Sequence, residues 1–115
     1  MPGPALTSFG HLARGAGYRV TAVTAFELAL GRSYRENPRP VHSLLAAPLL
    51  TLTRKAGLRG GALLQELRQR GATIDVRDAM QAGICLEVDV PLVTRNLSHL
   101  ARVPGLQISH PADWQ

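Results

Sequence analysis

The sequence predicts an α/β fold with a mainly parallel sheet flanked by helices, and three observations predict it. Short runs rich in β-branched and aliphatic residues alternate with helical stretches, the order expected of parallel strands joined by crossover helices. One helical stretch is apolar almost all round, so it belongs inside a layered core. The composition is that of a globular chain, with 45% hydrophobic and 18% charged residues, and 115 residues give room for a single domain over residues 1–115.

Residues 5–14 read as a short helix, weakened by Gly10 and ended by Gly15 and Gly17. Residues 18–23 follow that glycine turn, are β-branched or aromatic at most positions, and read as a strand. Residues 24–30 read as a helix that Gly31 stops. A loop is expected around residues 38–40, between two prolines. A second short helix follows over 41–47, then a short strand over 49–53.

Residues 54–70 form the longest amphipathic stretch, with Leu63, Leu64 and Leu67 on one face and Arg59, Glu66 and Arg70 toward the other. Gly60 and Gly61 weaken its middle by about 1 kcal/mol each relative to alanine, and Gly71 closes it. Residues 76–88 are the apolar helix, carrying Ala79, Met80, Ala82, Gly83, Ile84, Cys85 and Leu86. A buried strand over 91–94, a short helix over 97–103 and a last strand over 106–109 complete the reading.

The formal net charge is +5, and a positive surface of that size favours polyanions, above all nucleic acid. Many small basic proteins bind none, so charge alone leaves the point open. Arg14, Arg19, Arg32, Arg35 and Arg39 make the N-terminal third basic, either to follow an RNA backbone or as a solvated face. A single cysteine, Cys85, excludes an internal disulfide and reads as a small core residue. The start, MPGPALTSFG, lacks the basic-then-apolar order of a signal peptide. The longest apolar run, residues 44–50, is broken by Pro48 and falls short of the ~20 residues that span a bilayer. A soluble cytoplasmic protein is the expectation.

There is no P-loop, no GxGxxG, no cysteine pair, no zinc spacing among the four histidines and no nucleophile elbow. Nucleotide hydrolysis, zinc chemistry and serine catalysis are therefore not expected. His99 reads as a surface histidine, and Trp114 as a residue that packs or frays near the terminus.

Three acidic or amide residues fall at strand-to-helix junctions, and each has two readings. Glu27, in Thr24-Ala25-Phe26-Glu27, fits a capping box with Thr24; it also fits a carboxylate at the top of a strand, aimed at a metal. Asp78 follows Asp75, which caps, and lies where a negative charge suits the helix dipole. It also opens the most apolar helix, where a buried carboxylate needs a partner such as a cation, Arg77 or Arg95. Asn96 fits an N-cap of the helix that starts at Leu97, or an oxygen group toward a metal or its water. Sites in parallel α/β sheets form beyond the carboxyl ends of the strands. Oxygen groups gathered there suit a hard cation such as Mg²⁺, which activates water and stabilises charge on a phosphodiester.

Residues 71–108, GATIDVRDAMQAGICLEVDVPLVTRNLSHLARVPGLQI, resemble the C-terminal half of VapC-type PIN domains. There an aspartate opens an alanine-rich buried helix, a strand ends in PLVTRN, and a short helix and VPGL follow. Residues 21–31, TAVTAFELALG, resemble that family's second strand and its glutamate-bearing helix, and LRQRGATI fits the end of the helix before the alanine-rich one. The likeness covers roughly residues 16–108, and the order T-x-x-E-L-x-x-G, D-A, T-R-N carries it.

The resemblance implies a PIN-like three-layer fold and a metal-dependent endoribonuclease toxin. It implies that Glu27, Asp78 and Asn96 hold Mg²⁺ or Mn²⁺ and cut RNA, with the Thr94 hydroxyl supporting the site. Arg95 and Arg32 are the expected nucleic-acid contacts. The implied partners are a VapB-type antitoxin, an RNA substrate and a second copy of the chain in a homodimer, in the cytoplasm and away from membranes.

The departures carry expectations of their own. Family members begin with a strand ending in aspartate, in a pattern like LDTS, whereas no acidic residue precedes Glu27 here. The first strand and its carboxylate are therefore expected to be missing, leaving a partial domain that is poorly stable and weak or inactive as a nuclease. An N-terminal extension carrying an aspartate is expected to reverse both. Leu100 stands where an aromatic is common, and Asn96 is a weaker metal ligand than aspartate. Two other functions compete: a degenerate, non-catalytic PIN remnant that binds RNA or an antitoxin, and an unrelated basic α/β domain in which all three positions are caps.

Overall fold

The computed structural model describes residues 19–114. The expected helix over residues 5–14, the start of the strand at residue 18, Arg14 and the expectation about a first strand lie outside the described residues. Of those described, the residues up to Leu50 together with Pro111 onward form one unit, and Thr51–His110 form the other.

The first unit opens with strand β1 (Val20–Thr21), which pairs in parallel with β2 (Leu49–Leu50) in the register Val20 to Leu49 and Thr21 to Leu50. Helix α1 (Ala22–Leu30) starts earlier than the sequence suggests. The reason is the cap: the Thr21 hydroxyl accepts from the Thr24 backbone N–H at 3.0 Å, so Thr21 rather than Thr24 is the N-cap. The expected strand over 18–23 is cut short at Thr21 by that same bond. Gly31 ends α1 as expected, its N–H bonding the Leu28 carbonyl at 3.1 Å.

Helix α2 (Arg32–Glu36) was not legible as a helix. The loop expected around residues 38–40 is instead a helix start: α3 (Arg39–Leu45) begins there, with Pro40 in its first turn. A proline at that position loses no intrahelical bond and has its φ already set for a helix. Val41 and Leu44 are buried, and Leu28, Tyr34 and Leu45 pack against them.

The second unit is built on two long helices, α4 (Arg54–Gln69) and α5 (Val76–Val88). Thr53 caps α4 by accepting from the Ala56 N–H at 3.1 Å, so the expected strand over 49–53 ends at Leu50. Asp75 caps α5 through the Arg77 N–H at 2.8 Å, as expected. Leu63, Leu64 and Leu67 of α4 meet Ala79, Ala82 and Cys85 of α5 in one core with Ile74, Leu92, Leu100 and Val103.

The two helices touch through glycines. An added Cβ on Gly60 would lie 2.7 Å from the Ala79 carbonyl oxygen, and one on Gly83 would overlap the Ala56 carbonyl oxygen. Gly60 therefore trades helix propensity for close approach, whereas Gly61 faces open space. The Arg59 guanidinium lies 3.4 Å from both the Leu86 carbonyl and the Glu87 carboxylate, at the far end of α5. Asp89 ends α5 in the left-handed conformation at φ 56°.

The strand β3 (Leu92–Val93) pairs in parallel with β4 (Ile108–Ser109), and the helix α6 (Leu97–Leu100) lies between them in sequence. The Thr94 N–H donates to the Ser109 carbonyl at 2.9 Å, extending contact one residue past β3. α6 is shorter than the expected 97–103 because the chain turns at Ala101, yet Val103 stays in the core. The fold is α/β with parallel strands, as expected, and among the described residues the strands form two pairs rather than one continuous sheet. A short 3₁₀ turn covers Pro111–Trp114. Among the described residues no helix is long and apolar enough to cross a membrane.

Candidate functional site

The second unit brings together Asp78, Thr94 and Asn96. Asp78 is half-buried in the first turn of α5, and Asn96 immediately precedes α6, 18 residues later. The Asn96 amide Nδ2 donates to Asp78 Oδ2 at 2.7 Å. A bond that short to an ionised carboxylate is charge-assisted, the stronger class of hydrogen bond. Arg77 Nε lies 3.5 Å from Asp75 Oδ1, and the amide of Asn96 serves Asp78.

The Thr94 hydroxyl accepts from the Asn96 backbone N–H at 3.0 Å. That local bond tightens the turn after β3 and aims the Asn96 side chain across to α5. Asn96 sits at the N-cap position of α6 but makes no side-chain cap bond. Its side chain is turned to Asp78 and to His99, whose Nδ1 lies 3.0 Å from the same Nδ2.

His99, read from the sequence as a surface histidine, is exposed, and its contact with Asn96 is what the sequence did not show. It follows Asn96 by three residues, a spacing that puts both on one side of a helical turn. That spacing was the only signal available.

Glu27 belongs to the other unit, on the exposed side of α1. It does not complete a capping box, because Thr21 takes the cap and the Thr24 hydroxyl receives a hydrogen bond from Thr21 at 3.1 Å. Arg32 is exposed and paired with Glu36 at 2.8 Å. Arg95 is exposed, between Thr94 and Asn96. Arg19, Arg35 and Arg39 are also exposed.

Asp78 and Asn96 supply a carboxylate and a carboxamide, whose oxygens are of the kind a hard divalent cation accepts. Mg²⁺ is usually held through one or two carboxylates and keeps several waters, and here the Asn96 amide turns its Nδ2 to the Asp78 carboxylate. Among the described residues, no three His, Cys, Asp or Glu side chains gather into a fuller metal cluster.

Fold and site together define an α/β protein with a polar site at the junction that follows a parallel strand. Comparison with protein-family models finds no match, nor does comparison with curated proteins. Solved structures do match. The crystal structure of VapBC2 from Rickettsia felis, bound to a DNA fragment from their promoter, matches with TM-score 0.72 and 19% identity over 95% of this chain and 86% of that one. VapBC-1 from nontypeable Haemophilus influenzae matches at 0.75 and 18%, over 92% and 86%. DNA-bound VapBC from Salmonella typhimurium matches at 0.74 and 19%, over 94% and 86%. The chain has a VapC PIN-domain-like fold, as the sequence motifs implied.

Proposed function

We propose that this protein is a VapC-like toxin, a metal-dependent endoribonuclease whose site is built on Asp78, Asn96 and Thr94 of the second unit. The contact between Asp78 and Asn96 carries the reading: two residues far apart in sequence meet at 2.7 Å within the fold that VapBC structures share. In this reading Asp78 holds Mg²⁺ or Mn²⁺ and Asn96 orients groups around it, and Glu27 is a separate candidate carboxylate on the first unit. When bound, such a cation supplies a water of lowered pKa and neutralises charge growing on a phosphodiester. Thr94 fixes the turn that aims Asn96. Arg95, between Thr94 and Asn96 in sequence, draws the RNA backbone in by charge, and Arg32 is a separate candidate contact on the first unit.

The proposed partners are a VapB-type antitoxin and a second copy of the chain, and the proposed setting is the cytoplasm. The three similar structures are VapBC complexes, two of them with DNA, which supports an antitoxin partner.

A second reading has its own observation. The Asn96 amide already satisfies Asp78, so the carboxylate does not require a cation in order to sit half-buried. A non-catalytic PIN remnant that binds RNA or an antitoxin fits that arrangement.

Cleavage of a structured RNA with Mg²⁺, with chelator, and by the Asp78→Ala variant separates the two. The nuclease reading expects cleavage that chelator and the substitution each abolish. RNA binding without cleavage favours the remnant.

A further inference from the structure

Two hydrogen bonds tie the segment around α6 to the approach of α5. At one end the Asn96 amide meets Asp78, in the first turn of α5, at 2.7 Å. At the other end, just past α6, the Arg102 guanidinium donates through Nη1 to the Thr73 carbonyl at 2.7 Å. Thr73 lies in the short stretch between the close of α4 and Asp75, the cap of α5. A guanidinium donor at that distance makes a charge-assisted bond.

The stretch that Arg102 grips sets where α5 begins. The Ala72 N–H closes α4 on the Leu67 carbonyl at 2.8 Å, and Asp75 caps α5 through the Arg77 N–H. Thr73 and Ile74 span the interval between those two fixed points. On the other side, Arg102 moves with α6, because its N–H bonds the His99 carbonyl and the Val103 N–H bonds the Leu100 carbonyl, both at 3.1 Å. A pull on Arg102 is therefore felt at Asn96, and a pull on Thr73 at Asp78.

The core between the two bonds cannot do this alone. Leu100, Val103, Ile74 and Ala79 are buried together there, but apolar burial is non-directional and does not fix how one segment pivots on another. One bond at Asn96 makes a hinge, and a second at Arg102 removes the pivot. The tolerance is small. N–H···O bonds run from about 2.7 to 3.2 Å, so a pivot of about 0.5 Å carries the contact between Asn96 and Asp78 from the short end of that range to its limit.

We propose that Arg102 is a positioning residue for Asp78 and Asn96, holding the start of α5 against α6 through the Thr73 carbonyl. The proposal rests on the reading of Asp78 and Asn96 as the site and adds the group that keeps them aligned. Arg102 and Thr73 are both exposed, so losing their bond leaves the core in place.

The test uses the full chain and the variants Arg102→Met, Arg102→Lys, Arg59→Met and Asp78→Ala. Methionine keeps an apolar stem and removes the donor. Lysine keeps a charged donor, and one donor suffices for a single carbonyl. Arg59 also reaches a backbone carbonyl, that of Leu86 at the far end of α5, so Arg59→Met loses the same charge away from Asp78. The readout is the side-chain amide signal of Asn96 in a nitrogen–proton NMR spectrum, with Asp78→Ala marking its position when the acceptor is gone. The expected result is that Arg102→Met moves this signal toward the Asp78→Ala position, whereas Arg102→Lys and Arg59→Met leave it near the wild type. RNA cleavage by Arg102→Met should fall in kcat by up to about a hundredfold, with KM no higher than in Arg59→Met, and Arg102→Lys should recover most of the rate. An Asn96 signal unmoved in Arg102→Met, or moved as far in Arg102→Lys or Arg59→Met, would overturn the proposal. Absence of cleavage by the wild type would overturn the nuclease reading alone, and the amide signal still decides the role of Arg102.

Discussion

Replacing Gly83 with alanine tests how α4 and α5 meet. The new Cβ would overlap the Ala56 carbonyl oxygen and lie 2.9 Å from the Gly60 nitrogen and 3.0 Å from the Gly60 Cα. All of these are backbone atoms, so no rotamer change relieves the overlap and the helices must separate. Overpacking of this kind costs about 1–3 kcal/mol, and a backbone obstacle argues for the upper part of that range. Alanine regains about 1 kcal/mol of helix propensity. The net expectation is a loss of about 1–2 kcal/mol. Gly61, one residue from the contact, has nothing within 4 Å of an added Cβ, so Gly61→Ala should gain about 1 kcal/mol. Urea unfolding followed by circular dichroism reads both. With a slope of about 2 kcal/mol per molar urea, the midpoint should fall by about 0.5–1 M for Gly83→Ala and rise by about 0.5 M for Gly61→Ala. Two shifts of the same sign, or a Gly83→Ala protein as stable as the wild type, would refute the packing argument.

Three further outcomes are expected. Asp89 holds φ 56° at the C-terminal end of α5, where a negative charge also opposes the helix dipole; Asp89→Gly should stabilise by about 0.5–1 kcal/mol in the same urea assay. Burial pushes the Cys85 thiol up from 9.0 to about 11. The unfolded chain therefore loses this proton first as pH rises, so the stability it contributes is complete below pH 9 and declines between pH 9 and 11; unfolding measured across that window should show the decline in the wild type and a flatter profile in Cys85→Ala. Thr21→Ala removes the cap of α1 and should cost about 1 kcal/mol, whereas Glu27→Gln should leave thermal stability unchanged, because Glu27 is exposed and outside the cap, and should weaken RNA cleavage if its charge holds the cation.

The long helices of the second unit were legible because their signals are local. Asp75 and the apolar run behind it set α5, and the leucine face with Gly71 behind it set α4, while the Thr53 cap was hidden inside an expected strand. The strands were less legible. The sequence offers extended runs of four to six residues, but only two in each run pair, and pairing depends on a partner far along the chain. At α1 two threonines compete to cap, and nothing in the sequence says that Thr21 wins. α3 was masked by its own prolines, which read as a loop yet serve as a helix start. The site shows the same division. Thr94 and Asn96 are neighbours, and their turn follows from T-R-N. The meeting of Asn96 with Asp78 comes from the packing of the turn after β3 against the start of α5, and no spacing announces it. His99 joins through Asn96, whose side chain makes no cap bond of its own.

The central claim is that Asp78 serves a nuclease site while Asp75, three residues earlier, serves only the helix. The most direct measurement compares RNA cleavage in the presence of Mg²⁺ or Mn²⁺ by Asp78→Ala and Asp75→Ala, each with its thermal stability. The account predicts that Asp75→Ala loses about 1 kcal/mol of stability with its cap and still cleaves, whereas Asp78→Ala stays folded and does not. Cleavage by a folded Asp78→Ala protein at the wild-type rate would contradict it.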